Sequence, residues 1–403
     1  MTNADQSAGA RGYSGKRIPT MAWMLTGSIA VIGSNSLVLA PIAPKVAQSF
    51  GASTQTVMTA SAAFGAGTVL SALLLARYID RMGARRMLRA ALVILAVALV
   101  SSCAAPVVAA LAVSQLLAGL ASGIAIPSIY TLAGAVAPPG RSSETLGVVL
   151  TGWTLSMVAG VSMSAMLADL VHWRLVYALV ALLAVIAAAA ISLSNYRDEP
   201  RTGRAPAPIV ALRIRGVAPL LVACAMFMTA FYGTYAYLGD HLHSGLGRPV
   251  SANGLAALAY GLGFGAAAFL DSMIDRIGAG RALPFALATI ALVYLAFVAA
   301  SESFGALLAV VFAWGLFNHL GLNALVFRLG ALDPAQRGTI LGLNSAVTYL
   351  AMFAGTIGFG PIYSGFGFAA LPLLGAALML VAALAARARA SIRTTSGEQT
   401  LDA

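Results

Sequence analysis

The sequence predicts an all-α membrane protein whose twelve transmembrane helices form two pseudo-symmetric six-helix bundles. Three observations support this fold class. Sixty per cent of the residues are apolar and 9% are charged, whereas a soluble domain carries about 25% charged residues. The apolar residues fall into twelve stretches of about 20 residues, the length that crosses a bilayer as a helix. The second half of the chain also repeats features of the first.

Short connections separate the predicted spans, which cover approximately residues 21–42, 54–76, 87–108, 110–135, 146–168, 175–194, 217–238, 252–272, 282–300, 303–327, 341–362 and 369–386. The longest connection, 195–216, is rich in Arg and Pro and is interpreted as a cytoplasmic linker between the bundles 21–194 and 217–386. Cytoplasmic tails are expected at 1–20 and 387–403. The first apolar run is longer than the core of a signal peptide, so we interpret it as a retained span.

The internal repeat keeps one offset of 195 residues, measured from Asp80 to Asp275. The charged segment Asp80-Arg81-Met82-Gly83-Ala84-Arg85 returns as Asp275-Arg276-Ile277-Gly278-Ala279-Gly280-Arg281. At the same offset, Gly147, Met157, Ala159 and Gly160 match Gly342, Met352, Ala354 and Gly355. In membrane proteins built from two repeats, substrate sites commonly lie between the repeats near the bilayer midplane. The repeat therefore predicts a transporter.

The net charge of +11 follows the predicted topology. If the N-terminus is cytoplasmic, all but three of the 24 basic residues fall in cytoplasmic segments, and the exceptions are Lys45, Arg174 and Arg248. Such an asymmetry is expected because short cytoplasmic loops carry the Lys and Arg residues. The charge pattern predicts that both termini are cytoplasmic. We expect a multi-pass protein of a plasma membrane, the inner membrane of a bacterium. It argues against a nucleic-acid partner.

No pattern in the chain is typical of an enzyme. Cys103 and Cys224 lie alone in spans three and seven, so neither a disulfide framework nor a metal-ligand spacing is present in the sequence. A glycine-rich phosphate loop ending in Lys and Ser or Thr is absent from the sequence as well. The spans contain no Ser/Lys, His/Asp or paired-carboxylate arrangement. We therefore expect no catalytic residues, no metal and no cofactor.

The most specific motif follows the second span. Its pattern is Gly, three residues, Asp-Arg, any residue, Gly and basic residues, and this chain has Ala76, Asp80-Arg81, Gly83 and Arg85-Arg86. Two further segments resemble segments of the same family: Val158-Ala159-Gly160-Val161 in span five and Arg337-Gly338 before span eleven. On these residues the chain resembles a twelve-helix member of the major facilitator superfamily, in the drug and metabolite efflux branch that includes the sugar efflux proteins.

The resemblance implies that the loop motif and its repeat act as a gate. A carboxylate at a helix end is stabilised by a neighbouring helix N-terminus, by ~0.3–1 kcal/mol at exposed sites, so Asp80 can hold two helices together. The implied gating residues are Asp80, Arg81, Gly83 and Arg85, with Asp271, Asp275, Arg276 and Gly278 in the second half. The alternative is that these residues only mark topology and form a short turn. The resemblance also implies a monomer.

The chain departs from the family pattern at positions that matter for coupling. Proton-coupled efflux members often carry an acid in span one and an Arg in span four, but the best-aligned positions here hold Asn35 and Gln115. Ser162 replaces the Pro that usually follows the fifth-span glycine. The resemblance therefore supports a transporter more firmly than a proton antiporter.

Polar side chains inside spans are costly unless they face a partner or a wet cavity. The candidate substrate-binding residues are therefore Asn35, Gln115, Asn344 and, four residues apart in span ten, His319 and Asn323. The alternative for each is a hydrogen bond between helices that serves packing. Tyr232 and Tyr235 in span seven suit a partly apolar organic substrate, and their alternative is core packing.

His319 is the candidate proton-coupling residue because histidine changes charge near neutral pH; otherwise it is a neutral hydrogen-bonding partner. The leading hypothesis is a secondary active transporter that moves a small organic solute, a drug or metabolite, across the bilayer by alternating access. Efflux is favoured over uptake, and proton coupling stays open. One alternative is an uncoupled facilitator or an uptake permease for a sugar or organic acid. An alternative from another class is a transport-dead membrane sensor.

Overall fold

The computed structural model describes residues 18–75, 78–138, 141–196, 208–270, 276–333 and 336–387. Within these ranges every regular element is a helix. The membrane helices are α1 (Thr20–Phe50), α2 (Thr54–Leu74), α3 (Ala84–Ala104), α4 (Val108–Val136), α5 (142–172), α6 (Trp173–Leu193), α7 (Val217–Asp240), α8 (Ser251–Ala266), α9 (Ala279–Ala300), α10 (Phe304–Ala331), α11 (Arg337–Phe366) and α12 (Ala370–Ala386). The predicted tails lie almost wholly outside the described ranges, and the linker is described at 195–196 and 208–216.

Helices α5 and α6 form one continuous apolar run, Thr145–Leu193, of 49 residues. At 1.5 Å per residue the run would measure about 74 Å, more than twice the ~30 Å hydrocarbon core. The chain turns at His172, whose extended backbone (φ −167°, ψ 140°) separates the two spans. With α12, an apolar helix of 17 residues, the described chain has twelve membrane helices, which confirms the predicted fold class.

Helix α1 is longer than its predicted span. It ends at Phe50 rather than at residue 42, although Pro41 and Pro44 lie inside it. The helix continues until Gly51, whose left-handed backbone (φ 60°, ψ 33°) lets its N–H reach the carbonyl oxygens of the last turn. Glycine is favoured at such a cap because it lacks the Cβ atom that makes the left-handed conformation unfavourable for other residues. The length of the apolar stretch therefore underestimates the length of α1, which extends beyond the apolar core of the bilayer.

The two halves have the same helix packing. In the first half α1 packs on α5 and α6, α4 packs on α2 and α3, and α3 packs on α6. In the second half α7 packs on α11 and α12, α10 on α8 and α9, and α9 on α12. The halves meet along α1 with α7, α2 with α11, and α5 with α8. These pairs form the two pseudo-symmetric bundles that the sequence predicts.

A close glycine crossing recurs in both halves. A Cβ on Gly119 of α4 would overlap the carbonyl oxygen of Phe64 in α2, and a Cβ on Gly315 of α10 would overlap that of Tyr260 in α8. Small residues allow such close approach of helices in membranes. The offset from Gly119 to Gly315 is 196 residues, one more than in the charged loops. A comparison at one constant offset therefore misses this pair.

We name the two ends of the molecule by residues. The Asp240 end contains the C-terminal ends of the odd-numbered helices, and the Arg85 end contains those of the even-numbered helices. The three basic residues outside the predicted cytoplasmic segments have described contacts at the Asp240 end. Lys45 Nζ lies 3.0 Å from Asp169 Oδ1, Arg174 Nη1 donates to the Cys103 carbonyl at 2.7 Å, and the Arg248 guanidinium lies 5.1 Å from the Phe304 ring centre.

The two repeated charged loops turn at equivalent glycines. Gly83 (φ 88°, ψ 136°) directly precedes α3, and Gly278 (φ 82°, ψ 131°) directly precedes α9. Side chains other than glycine rarely adopt this conformation. A one-turn helix, Ile79–Met82, leads into the first of these glycines. The backbone conformation alone therefore explains why glycine occupies this position in both loops, whatever the function of the loops.

Gly83→Ala is expected to lower the free energy of unfolding by about 1–3 kcal/mol, the usual cost of holding a non-glycine residue in a sparsely populated backbone region. Gly280→Ala is the matched control, since Gly280 lies in the second copy of the loop without a positive φ and has nothing within 4 Å of its Cβ position. Thermal unfolding of the detergent-solubilised variants measures the difference. Equal stability of the two variants would argue against a strained turn at Gly83.

Candidate functional site

The Asp240 carboxylate joins the two halves at the Asp240 end. Its Oδ1 accepts a hydrogen bond from Thr54 Oγ1 at the start of α2, and its Oδ2 accepts one from the Tyr363 hydroxyl of α11, both at 2.6 Å. Asp240 itself ends α7 and is 9% exposed. We call Thr54, Asp240 and Tyr363 the Asp240 latch. Because Thr54 belongs to the first half, the halves cannot separate at this end without breaking its hydrogen bond.

A second connection lies between α5 and α8. The backbone N–H of Ser251, at the first residue of α8, donates to Asp169 Oδ2 at 3.1 Å, while Lys45 lies 3.0 Å from the other carboxylate oxygen. A helix N-terminus has unsatisfied N–H groups and favours a negative charge. Two residues further along α8, Asn253 Nδ2 donates to the Pro41 carbonyl of α1 at 2.7 Å. Both contacts join opposite halves.

Glycine allows the halves to approach closely at the same end. A Cβ on Gly254 of α8 would lie 2.5 Å from the Ser162 carbonyl oxygen of α5. Nearer the midplane, the Tyr235 hydroxyl donates to the Leu37 carbonyl of α1 at 3.2 Å. Hydrogen bonds whose two partners are described residues of opposite halves thus lie at the Asp240 end or between it and the midplane. This conformation is closed at the Asp240 end.

An aromatic cluster occupies the middle of the second half. Its members are Phe231, Tyr232 and Tyr235 of α7, Tyr260 and Phe264 of α8, and Trp314 of α10. The Phe231 ring is central, with ring centres at 4.9 Å for Tyr232, 5.7 Å for Tyr235, 5.5 Å for Tyr260 and 5.1 Å for Trp314. Helical spacings of three to four residues bring these rings to one face of each helix. Tyr232 and Phe264 are partly exposed, whereas the central rings are buried.

Hydrogen-bonding groups lie against the cluster. Trp314 and Asn318 are four residues apart on α10, and Asn318 Nδ2 donates to the Tyr260 hydroxyl at 3.1 Å. The Asn318 side-chain oxygen and the Trp314 Nε1 are buried without a hydrogen-bond partner among the described residues. A cavity of about 10 Å³ between the halves is lined by Trp314, Tyr260, Asn253 and Pro41, among others, which is roughly room for one water molecule.

The structure brings several predicted substrate-binding residues together. Tyr232 and Tyr235 belong to the aromatic cluster, and the His319 ring centre lies 4.7 Å from that of Phe264. Asn323 follows His319 by one turn of α10 and is partly exposed. Asn344 lies on α11, where its buried side-chain oxygen has no hydrogen-bond partner among the described residues. These positions keep all of them as candidates for solute contact.

Asn35 and Gln115 bond to each other. Asn35 Nδ2 donates to Gln115 Oε1 at 3.2 Å, and Gln115 Nε2 donates to Asn35 Oδ1 at 3.4 Å and to Ser102 Oγ at 3.1 Å. Both side chains are buried within the first half, where they join α1, α3 and α4. The positions at which the family resemblance leads us to expect an acid and an Arg therefore hold a neutral, mutually hydrogen-bonded pair. The pair has the hydrogen bond between helices that the packing alternative expects, and its part in solute binding stays a prediction.

The described gating residues Arg81, Gly83, Arg85, Arg276 and Gly278 lie at the Arg85 end. Arg81, Arg276 and Gly278 are exposed. The side chain of Asp80, together with Asp271 and Asp275, lies outside the part of the chain that the structure describes. Their gating role stays a prediction.

Arg85 binds the end of a helix in its own half. Its Nε donates to the Ile191 carbonyl at 3.0 Å and its Nη2 to the Ser192 carbonyl at 2.6 Å, in the last turn of α6. In the second half Arg328 of α10 donates to the Ala386 carbonyl, the last residue of α12. Basic side chains commonly satisfy the free carbonyl oxygens at helix C-termini. Each half therefore secures its sixth helix with an arginine.

Sequence reasoning missed the residues that close the Asp240 end. Asp169 and Asp240 lie just beyond the ends of predicted spans, so the sequence assigns them no role, and Asn253 belongs to no polar pattern in its span. Lys45 was the available clue, since a basic residue outside the predicted cytoplasmic segments needs a local acidic partner.

Comparisons with known proteins agree with this architecture. The family model of the Major Facilitator Superfamily matches residues 24–356, from α1 into α11. An uncharacterized MFS-type transporter of Bacillus subtilis (strain 168), YwfA, is 27% identical over 369 residues, which cover 90% of each chain.

Two further relatives have names that include a transported compound or a resistance. A "Probable sugar efflux transporter" of Mannheimia succiniciproducens is 24% identical over 251 residues, 60% of this chain and 62% of that protein. A chloramphenicol resistance protein of Streptomyces lividans is 26% identical over 171 residues, 42% of this chain and 44% of that protein. With twelve membrane helices in two repeated bundles and a family match over most of its length, the chain belongs to the Major Facilitator Superfamily, whose members are transporters and not enzymes.

Proposed function

We propose that this protein is a secondary active transporter that exports a small organic solute by alternating access, as a monomer in a bacterial inner membrane. The charge distribution favours a cytoplasmic Arg85 end and cytoplasmic termini, so the Asp240 end would face outward. The observation that carries the proposal is the Asp240 latch, which joins the two halves on one side of the aromatic cluster. A site between two bundles that is closed toward one side is what alternating access requires.

When the Asp240 end opens, contacts between the halves are lost there, and other contacts must form at the Arg85 end. A hydrogen bond to a charged group contributes about 1.5–3 kcal/mol, so release of the latch needs compensating contacts elsewhere. The repeated loop motif at the Arg85 end is the proposed source, through the charged residues Asp80, Arg81, Arg85, Asp275 and Arg276. The turns at Gly83 and Gly278 support this role because they give both loops the same backbone geometry.

The proposed solute site includes Tyr232 and Tyr235 from α7, with His319, Asn323 and Asn344 as hydrogen-bonding residues. The ring contact between His319 and Phe264 supports this grouping. The names of the two relatives, a sugar efflux transporter and a chloramphenicol resistance protein, favour export of an organic compound. Both names describe those proteins, and neither gives the solute of this chain.

Two coupling schemes compete. In the first, His319 takes up a proton and couples proton entry to solute export. In the second, the protein is an uncoupled facilitator, which the neutral Asn35–Gln115 pair favours because it leaves no ionisable group at those positions. The two schemes differ in whether solute movement carries protons.

The test uses the purified protein in liposomes with an imposed pH gradient and an internal pH dye. A panel of sugars, amphipathic drugs and organic acids is added, and solute and proton fluxes are measured together. Proton coupling predicts that His319→Ala abolishes solute-dependent proton flux while solute exchange without a gradient persists. His243→Ala is the control, because its ring contacts the Arg248 carbonyl outside the spans. Folded protein that moves none of the panel would contradict the proposed function.

A further inference from the structure

Two arginines begin the lipid-facing side of α3 at the Arg85 end. The buried side of α3 packs against α4 and α6, and its opposite side is exposed at Arg86, Arg89, Val93, Val97 and Val100. These residues follow one another at intervals of three or four, so they form one stripe along the helix. We call them the α3 stripe. Its three valines are 49%, 56% and 58% exposed and contact acyl chains in a bilayer.

The length of the α3 stripe matches one leaflet of the bilayer. At 1.5 Å per residue, Val100 lies about 17 Å along the helix from Arg89, and half of the ~30 Å hydrocarbon core measures about 15 Å. When the valines lie among the acyl chains of that leaflet, Arg89 is therefore at the depth of the phosphate groups. A long Arg side chain extends its charged group toward that layer, while its methylene groups stay in apolar surroundings.

The last turn of α6 lies beside these arginines. Arg85 holds it there, since its Nε donates to the Ile191 carbonyl at 3.0 Å and its Nη2 to the Ser192 carbonyl at 2.6 Å. Leu193, the last residue of α6, is 82% exposed. The first turns of α3 and the last turn of α6 thus combine positive charge with an apolar side chain. A phospholipid needs both, because its headgroup is charged and its acyl chains are apolar.

The sequences of both helices are free of acidic residues. Neither α3 nor α6 contains an Asp or Glu, so neither helix supplies a carboxylate for Arg89. The acids nearest in sequence are Asp80, Asp198 and Glu199, whose side chains lie outside the part of the chain that the structure describes. These acids are the competing partners of the arginines. Basic residues at a membrane surface attract anionic lipids, and basic surfaces between membrane helices bind their headgroups.

The second half has only part of this surface. At the offset of the charged loops, Arg281 of α9 corresponds to Arg86 and is exposed, whereas Pro284 corresponds to Arg89. The first half therefore presents two positive charges at this register and the second half presents one. Arg281 is for this reason a matched control within the same chain.

We infer that the α3 stripe and Leu193 bind an anionic glycerophospholipid, with its phosphate at Arg86 and Arg89 and an acyl chain along the three valines. The lipid is then a ligand of this face, because the charge of its headgroup decides its affinity. The site is separate from the proposed solute site, since neither α3 nor α6 contributes to the aromatic cluster. The inference can therefore fail without affecting the proposed transport function.

Native mass spectrometry of the full chain in detergent measures this binding, with dioleoyl phosphatidylglycerol and dioleoyl phosphatidylcholine as probes. The two lipids have the same chains and the same phosphate, but choline adds a compensating positive charge. Each basic residue at a membrane surface contributes about a fivefold preference for an anionic lipid. We expect the unmodified protein to prefer phosphatidylglycerol. Arg89→Gln should lower that affinity about fivefold, and Arg86→Gln together with Arg89→Gln about 25-fold.

The controls separate this site from general attraction between a basic protein and an anionic lipid. Arg281→Gln removes one exposed charge from α9 and should leave the affinity of the bound phosphatidylglycerol unchanged. Arg89→Lys keeps the charge and should retain most of the affinity. Asp198→Asn combined with Glu199→Gln removes two competing acids and should leave the preference unchanged or raise it. Glycerol 1-phosphate has the phosphate without the acyl chains and should not displace the lipid.

Several outcomes would overturn the inference. Equal retention of the two lipids by the unmodified protein is the most direct. Equal losses in Arg89→Gln and Arg281→Gln would show that net charge alone attracts the lipid. A preference that exists only after Asp198 and Glu199 are neutralised would show that these acids occupy the arginines in the native chain. Displacement by glycerol 1-phosphate would assign the site to free phosphate compounds rather than to a lipid.

Discussion

Asp240→Asn is expected to open the Asp240 end about tenfold more often than in the unmodified protein. The substitution removes the negative charge and replaces one acceptor oxygen by an NH2 group, so both 2.6 Å charge-assisted hydrogen bonds become weaker neutral ones. The difference between charged and neutral hydrogen bonds is about 1–2 kcal/mol, and 1.4 kcal/mol corresponds to a factor of ten. The closed conformation loses this stabilisation, whereas a conformation with separated halves never had the Thr54 bond.

Cysteine labelling measures this opening. Ala257 lines the small cavity between the halves, so Ala257→Cys is placed in a variant that lacks Cys103 and Cys224. A membrane-impermeant maleimide added at the Asp240 side reports how often the cavity is reached. Thr54→Val should raise labelling like Asp240→Asn, because it breaks the bond between halves. Tyr363→Phe should raise it less, since Tyr363 and Asp240 belong to the same half. Labelling that stays constant in Asp240→Asn would rule out a latch.

Gly254→Ala is expected to shift the conformation rather than unfold the protein. The new Cβ would lie 2.5 Å from the Ser162 carbonyl oxygen across the contact between α5 and α8. Overpacking of this kind costs about 1–3 kcal/mol, which is a factor of about 5–150 in a conformational equilibrium. The clash disappears if the halves separate at this end, so the protein can relieve it by opening. Labelling of Ala257→Cys should rise while the melting temperature changes little.

The same substitution inside one half provides the matched comparison. A Cβ on Gly119 would overlap the Phe64 carbonyl oxygen between α4 and α2, two helices that move together in the first half. No opening relieves that clash, so Gly119→Ala should lower the melting temperature without raising the labelling rate. Gly358→Ala has nothing within 4 Å of its Cβ position and should change neither quantity. If Gly254→Ala behaves like Gly119→Ala, the contact between α5 and α8 does not open in the transport cycle.

Composition and repeat were sufficient to predict the fold class, because helix length and apolarity are fixed by the bilayer. The end of α1 was not predictable from apolarity, since a glycine cap at Gly51 and not the hydrocarbon thickness ends that helix. The constant offset of the charged loops also concealed the glycine crossing of Gly119 and Gly315, which is shifted by one residue. Periodicity predicts helices well and their register less well.

The site was only partly predictable for a different reason. Tyr232 and Tyr235 share one helix, so their spacing was visible in the sequence. The contact of Phe231 with Tyr260 and Trp314 joins three helices, and one sequence carries no record of which helices are neighbours. The Asn35–Gln115 pair joins residues 80 positions apart for the same reason. Distances along one helix can be predicted, whereas partners between helices require the fold.

The one-residue shift at the glycine crossing also shows that the duplicated halves are chemically unequal. In that register Tyr260 corresponds to Phe64, Trp314 to Ala118 and Asn318 to Ser122. One copy of an ancestral surface thus carries an indole and an amide where the other carries a methyl group and a hydroxymethyl group. We expect the solute to bind to the second copy. The first copy would then move relative to the bound solute with a surface of small side chains. Selection for a new solute would then change α7, α8 and α10 while leaving the matching helices of the first copy alone.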